Sequence, residues 1–208
     1  MRRAYGAWAT ACAAVLLLAG CGTKSGGGDG KPPEQAPALT EEQARAALPD
    51  GAAMPGWKAT LEPTATAMND LYKSEACPTN GNQGCDDARF YGVSTFRRAD
   101  GKAGADFRLV AYGSEKAAEA AYDTLWRLYA PKVGPTARKV DLGGPGDRGD
   151  AVLGTYGYEG GPGAVAQVRV GTALLWVEAT GAREGDLDAA LVKDLASRFG
   201  ERAREAAG

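Results

Sequence analysis

AVLGTYGYEGGPGAVAQVRVGTALLWVEAT, residues 151–180, contains three extended runs: Ala151–Tyr158, Ala164–Val170 and Ala173–Thr180. Gly160-Gly161-Pro162-Gly163 and Gly171-Thr172 separate them. Links this short join antiparallel neighbours, because a parallel pair needs a long crossover. Upstream, Phe90–Arg97 and Asp106–Tyr112 mix aromatic with β-branched or apolar residues around Asp100-Gly101, which predicts a hairpin turning near Ala99–Gly104. Trp57–Leu61 alternates as a further strand, and Ala65–Lys73 reads as a short helix or an irregular approach to a cysteine loop.

Helical signals lie between and around these strands. Thr40-Glu41-Glu42-Gln43 has the form of a capping box, opening a short helix that ends by Leu48, before Pro49. Ser114 is placed as an N-cap for Glu115–Tyr129, where Ala118, Ala121, Tyr122, Leu125, Leu128 and Tyr129 recur at helical spacing, and Pro131 stops the run. Asp186–Arg204 carries Leu187, Leu191, Leu195 and Phe199 on one stripe. The expected fold class is α+β: one antiparallel β-sheet packed with two to three α-helices, in a single domain spanning residues 39–208.

The beginning of the chain predicts location. Arg2 and Arg3 precede an apolar run from Ala7 to Ala19, which has the form of a secretory signal. That run is short of the ~20 residues a spanning helix needs. It ends in Leu18-Ala19-Gly20-Cys21, which resembles a bacterial lipobox rather than the Ala-x-Ala site of a plain signal peptide. Residues 1–20 are therefore expected to be a lipoprotein signal peptide, and Cys21 the lipidated residue that anchors the protein in the cell membrane, facing outside the cytoplasm. Residues 21–38, with Gly26-Gly27-Gly28 and Pro32-Pro33, read as a flexible tether. Cys12 leaves with the signal, so Cys77 and Cys85 remain on either side of a polar loop. Outside the cytoplasm such a pair is expected to form a disulfide; a metal site or a redox pair are the competing readings.

Composition removes much chemistry. The chain has no histidine. That excludes Ser-His-Asp triads, Cys-His dyads, His-Glu-x-x-His metalloprotease sites and facial-triad iron sites. Without histidine, two cysteines do not make a standard zinc site. No metal and no cofactor is expected. A net charge of −2, which grows more acidic once Arg2 and Arg3 are lost, leaves no footprint for nucleic acid. Gly144-Pro145-Gly146-Asp147-Arg148-Gly149 matches Gly-x-Gly-x-x-Gly, yet a β-patterned run follows it where a dinucleotide site needs a helix. The stretch reads as a plain turn, or as a loop at the rim of a site with Asp147 and Arg148 as candidate ligand contacts. Trp126, at the flank of its helix's apolar stripe, is a third candidate, lining a groove between helix and sheet; ordinary packing is its alternative. Asp86-Asp87 lacks the surrounding pattern of a calcium loop.

Several stretches together resemble the extracytoplasmic sensor-type domains of actinobacterial lipoproteins and receptor serine/threonine kinases. They are Leu48-Pro49-Asp50 through Pro55-Gly56-Trp57, the Ala-rich Ala117–Tyr129 helix, Leu142–Ala151 with its Gly-Asp pair, and Gln167-Val168-Arg169-Val170-Gly171 before an apolar strand. The resemblance implies an α+β sandwich with a ligand-binding cleft, stabilised by disulfides. The Ala-, Gly- and Arg-rich composition fits a high-GC actinobacterium. The expected function is a non-enzymatic, membrane-anchored lipoprotein. It would bind a small ligand, lipid or envelope component in a cleft between sheet and helices. An accessory module docking on another envelope protein is the second expectation, and a carboxylate-based hydrolase the third.

Overall fold

The structure, a computed structural model, describes residues 36–157 and 160–208. The expected signal peptide, the lipidation site Cys21 and tether residues 22–35 lie outside the described residues, as do Tyr158 and Glu159.

Seven strands form one antiparallel sheet in the order β1-β2-β3-β7-β6-β5-β4. They are β1 (Trp57–Ala67), β2 (Ala88–Arg98), β3 (Ala103–Tyr112), β4 (Arg138–Lys139), β5 (Arg148–Thr155), β6 (Pro162–Val170) and β7 (Ala173–Gly181). The topology is two meanders, β1–β3 and β4–β7, joined along the β3–β7 pairing. Among the described residues four α-helices accompany them: α1 (Glu41–Ala47), α2 (Asp70–Ala76), α3 (Glu115–Tyr129) and α4 (Ala189–Ala207).

The sheet is covered on both sides, so its central strands are apolar on both faces. One face presents Phe96, Phe107, Leu109, Val168, Leu175 and Val177 to α1 and α4. Phe107 lies edge-on between Phe96 and Phe199, with ring centroids 5.9 Å and 5.4 Å away. The opposite face presents Val110, Val165, Leu174 and Trp176 to Tyr122, Leu125 and Tyr129 of α3. α3 leaves the end of β3 through Ser114, whose side chain accepts from Ala117 N, and runs back along the strands. Gln167 of β6, fully buried, fixes how it sits: its Nε2 donates to the Tyr122 carbonyl at 2.8 Å and its Oε1 accepts from the Trp176 indole at 2.6 Å.

The Thr40 capping box, the α3 bounds and the β2–β3 hairpin are as the sequence predicts. Three elements differ. β1 continues from Leu61 to Ala67; its register shifts between Leu61 and Thr64, and Pro63 is accommodated there because β1 is an edge strand. The stretch expected to start a helix at Ala65 is therefore still strand. α2 begins only after Asn69, whose side chain accepts from Tyr72 N at 3.0 Å, and it brings the helices to four. α4 starts at Ala189 because the Asp188 side chain caps Leu191 N at 2.8 Å, which leaves Leu187 buried but outside the helix.

Cys77 and Cys85 are bonded, with their Cα atoms 5.9 Å apart. Tyrosines pin the enclosed segment to the α3 face: Tyr112 donates to the Gly84 carbonyl at 2.6 Å, and Tyr129 to that of Ala76 at 2.8 Å. Tyr91 donates to Glu75 at 2.9 Å.

Candidate functional site

The register aligns side chains of the α3 face in rows across the strands. One row reads Arg97, Gly104, Thr180, Gly163, Gly154; the next reads Thr95, Asp106, Glu178, Val165, Val152. α3 ends short of these two rows, and the Pro131–Lys132 turn and Tyr156–Gly157 wall the space that remains. The result is a cleft of about 530 Å³ lined by Arg97, Gly104, Asp106, Lys132, Tyr156 and Glu178, with Thr180 in its floor. That volume is in the range of small-ligand sites, ~300–1,000 Å³.

Two glycines make this shape possible. A Cβ on Gly104 would lie 2.5 Å from Nη1 of Arg97, whose guanidinium folds over β3 there. A Cβ on Gly163 would lie 1.9 Å from the Tyr156 ring, which rests on the strand. The cleft is thus bordered by a guanidinium lying on Gly104 on one side and a phenol lying on Gly163 on the other, with Thr180 between them.

Its inner end is charged. Glu178 Oε1 receives Arg108 Nη1 at 2.5 Å and Lys132 Nζ at 2.9 Å, and Tyr156 OH is 3.4 Å from Oε2. Lys132 Nζ also sits 4.3 Å from the centroid of the Tyr129 ring. Burial works against the charge of Arg108, but Glu178 and then the surrounding tyrosines raise its pKa above the ordinary value. Burial pushes the Tyr156 hydroxyl up, and Glu178 adds to it; Tyr129 is pushed up, mainly by burial, to about 12. Asp106 stands opposite Glu178 in the β3–β7 register, which puts their Cβ atoms about 4.5–5.5 Å apart. Among the described residues, neither Asp106 nor Arg97 has an ion-pair partner.

The three ligand-contact candidates named from sequence do not line this cleft. Trp126 is half-buried and packs with the α3 core. Arg148 pairs with Asp123 and Glu119 of α3, and its guanidinium covers the Tyr122 ring at 3.9 Å. Asp147 accepts from Gly171 N at 2.7 Å and pairs with Arg169 at 3.2 Å. The Gly-rich loop therefore ties β5 to the β6–β7 turn, and a strand follows it. A broader depression of about 780 Å³ borders the β5–β6 and β7–α4 turns, lined mostly by turn residues. Among the described residues no group of three or more His, Cys, Asp or Glu is placed to hold a metal, and no helix is long and apolar enough to cross a membrane.

Sequence reading missed Arg97, Asp106, Lys132, Tyr156 and Glu178 as a group. Each is a polar residue in or beside an apolar strand or at a helix end, and 72 residues separate Asp106 from Glu178. The available signal was the presence of Asp106, Arg108 and Glu178 at alternate positions in strands that are otherwise apolar.

No protein-family model matches the chain, and no curated protein matches it in sequence. Among solved structures, the fold is similar to that of the extracellular domain of PknH from Mycobacterium tuberculosis, with a TM-score of 0.56 and 14% identity, over 82% of this chain and 99% of that one. At this identity the likeness is one of fold: an antiparallel α+β domain that, in the solved structure, is an extracellular one.

Proposed function

We propose that this protein is an extracytoplasmic lipoprotein, anchored through lipid on Cys21, whose single domain binds a small ligand without chemically altering it. The observation that carries the reading is the cleft beyond the end of α3, where five charged or phenolic side chains converge over a glycine-bearing floor. The fold shared with an extracellular domain and the lipobox-like Leu18-Ala19-Gly20-Cys21 support the location. Ala36 N donates to Glu115 at 2.7 Å, beside the start of α3. The chain thus enters the domain at the opposite end of the strands from the cleft, roughly 25 Å away at ~3.3 Å per residue.

Asp106 and Glu178 are two facing carboxylates, which a hydrolase would require. The binding reading is preferred because Glu178 is engaged by two cations and a phenol, an arrangement that holds a carboxylate in place rather than frees it to shuttle protons.

Two experiments test the proposal. The full-length chain, exposed to cell-envelope extract and studied by native mass spectrometry, should retain an added mass. Thr180→Phe, which fills the floor, should lose it at unchanged melting temperature. No retained mass, or a mass indifferent to Thr180→Phe, overturns the ligand reading, and a bound species that is steadily cleaved in an Asp106-dependent way replaces it with hydrolysis. For the anchor, Cys21→Ala should release the protein from the membrane fraction; unchanged membrane association and processed mass would falsify lipidation there.

A further inference from the structure

We propose that the cleft takes a neutral, polyhydroxylated ligand: a saccharide unit seated over Thr180 between Arg97 and Tyr156. This rests on the ligand-binding reading above and names its chemistry.

Some of the charges around the cleft are already satisfied. Glu178 receives Arg108 and Lys132 on one oxygen. Arg97 and Asp106 make no ion pair or hydrogen bond among the described residues; Arg97 is exposed to solvent, and Arg108, two residues along β3, attracts Asp106 at longer range. They lie on the same face of adjacent strands, Arg97 opposite Gly104 and Asp106 two positions along. That diagonal separation is about 7–8 Å. An anion placed here satisfies Arg97 and is repelled by Asp106, and a cation meets the reverse. A hydroxyl both donates and accepts, so a ring bearing several of them satisfies both side chains and the Thr180 hydroxyl without importing charge.

The surroundings agree. Gly104 lets the Arg97 guanidinium settle against β3 beside the Thr180 hydroxyl, which sets two polar groups side by side at the cleft floor. The Tyr156 ring, resting on Gly163, borders the same space and gives a sugar ring an aromatic wall to pack against. The charges in the lining are of both signs, Arg97 and Lys132 against Asp106 and Glu178.

The test is calorimetric titration of the full-length chain with glucose, galactose, mannose, arabinose and trehalose, and with glucuronate and glucose 6-phosphate as charged probes. Neutral sugars should bind at millimolar concentration. Asp106→Asn and Arg97→Gln should each weaken binding about tenfold, with melting temperatures held close to the parent's as a check on folding. Binding of the charged probes alone, lost in Arg97→Gln and improved in Asp106→Asn, overturns the proposal in favour of an anion site. Absence of binding by every probe also overturns it. The extract experiment then stands separately: a retained mass sensitive to Thr180→Phe keeps the ligand reading and assigns it a ligand that is not a saccharide.

Discussion

Gln167 is a polar residue at the centre of the α3 face, and all its visible bonds are inward: to the Tyr122 backbone and to the Trp176 indole. Replacing it with Leu keeps the volume but strands the buried indole N–H, while the Tyr122 carbonyl keeps its bond within the helix. An unpaired buried donor costs about 1–3 kcal/mol, so Gln167→Leu should lower unfolding free energy by about that amount in denaturant titration. A neutral or stabilising result would mean that α3 is held by apolar packing alone. Glu178 follows the same logic at the cleft: its two cations compensate its burial, which is why a charged residue is tolerated inside a strand whose neighbours are Val177 and Ala179.

The segment from α2 to the end of the disulfide loop has little core of its own. Cys77, Cys85 and Ala76 are its buried anchors, and Tyr112 and Tyr129 hold it by hydroxyl-to-carbonyl bonds. Closing a loop of this size contributes about 2–3 kcal/mol in the chain-entropy model. Cys77→Ala with Cys85→Ala should therefore lower stability by that amount, and hydrogen exchange should accelerate first in α2 and the loop, while β6 and β7 stay protected. Uniform acceleration across the sheet would instead make the disulfide part of the global folding unit. The sequence marked this segment as cysteine-bearing and polar, but α2 itself was hidden. Its Asn69 cap follows directly on a strand that passes through Pro63, a residue that reads as the end of a strand until it is known to lie on an edge.

The two ends of the domain are clasped together. Arg202 on α4 donates to the carbonyls of Ala46 and Leu48, where α1 ends, each at 3.0 Å, and to Asp50 at 3.1 Å. The Ala53 backbone N–H, ahead of Arg202, holds the Asp50 carboxyl below its ordinary 3.8 against the opposing effect of burial. A lowered folded pKa means stability that is present above the unfolded value and lost as pH falls through the folded one. Because Asp50 is well exposed, the contribution is about 0.5–1 kcal/mol. Asp50→Asn should therefore be less stable than the parent at neutral pH, and the gap should close below pH 3.8 in acid-unfolding curves; a gap that widens in acid would reverse the assigned sign.

Local chemistry made much of the molecule readable before folding. Glycine-bearing links shorter than a crossover dictated antiparallel strands, Thr40 and Ser114 marked where helices start, and the absence of histidine removed whole classes of catalysis. These properties depend on neighbours a few residues apart. The cleft depends on pairings across the whole chain: β3 beside β7 sets Asp106 opposite Glu178, and the end of α3 swings Lys132 onto that carboxylate. A charged residue in an apolar strand reads the same whether it faces solvent, a partner or a ligand. Only the register across the sheet, with the point where α3 stops covering it, determined which of these side chains meet.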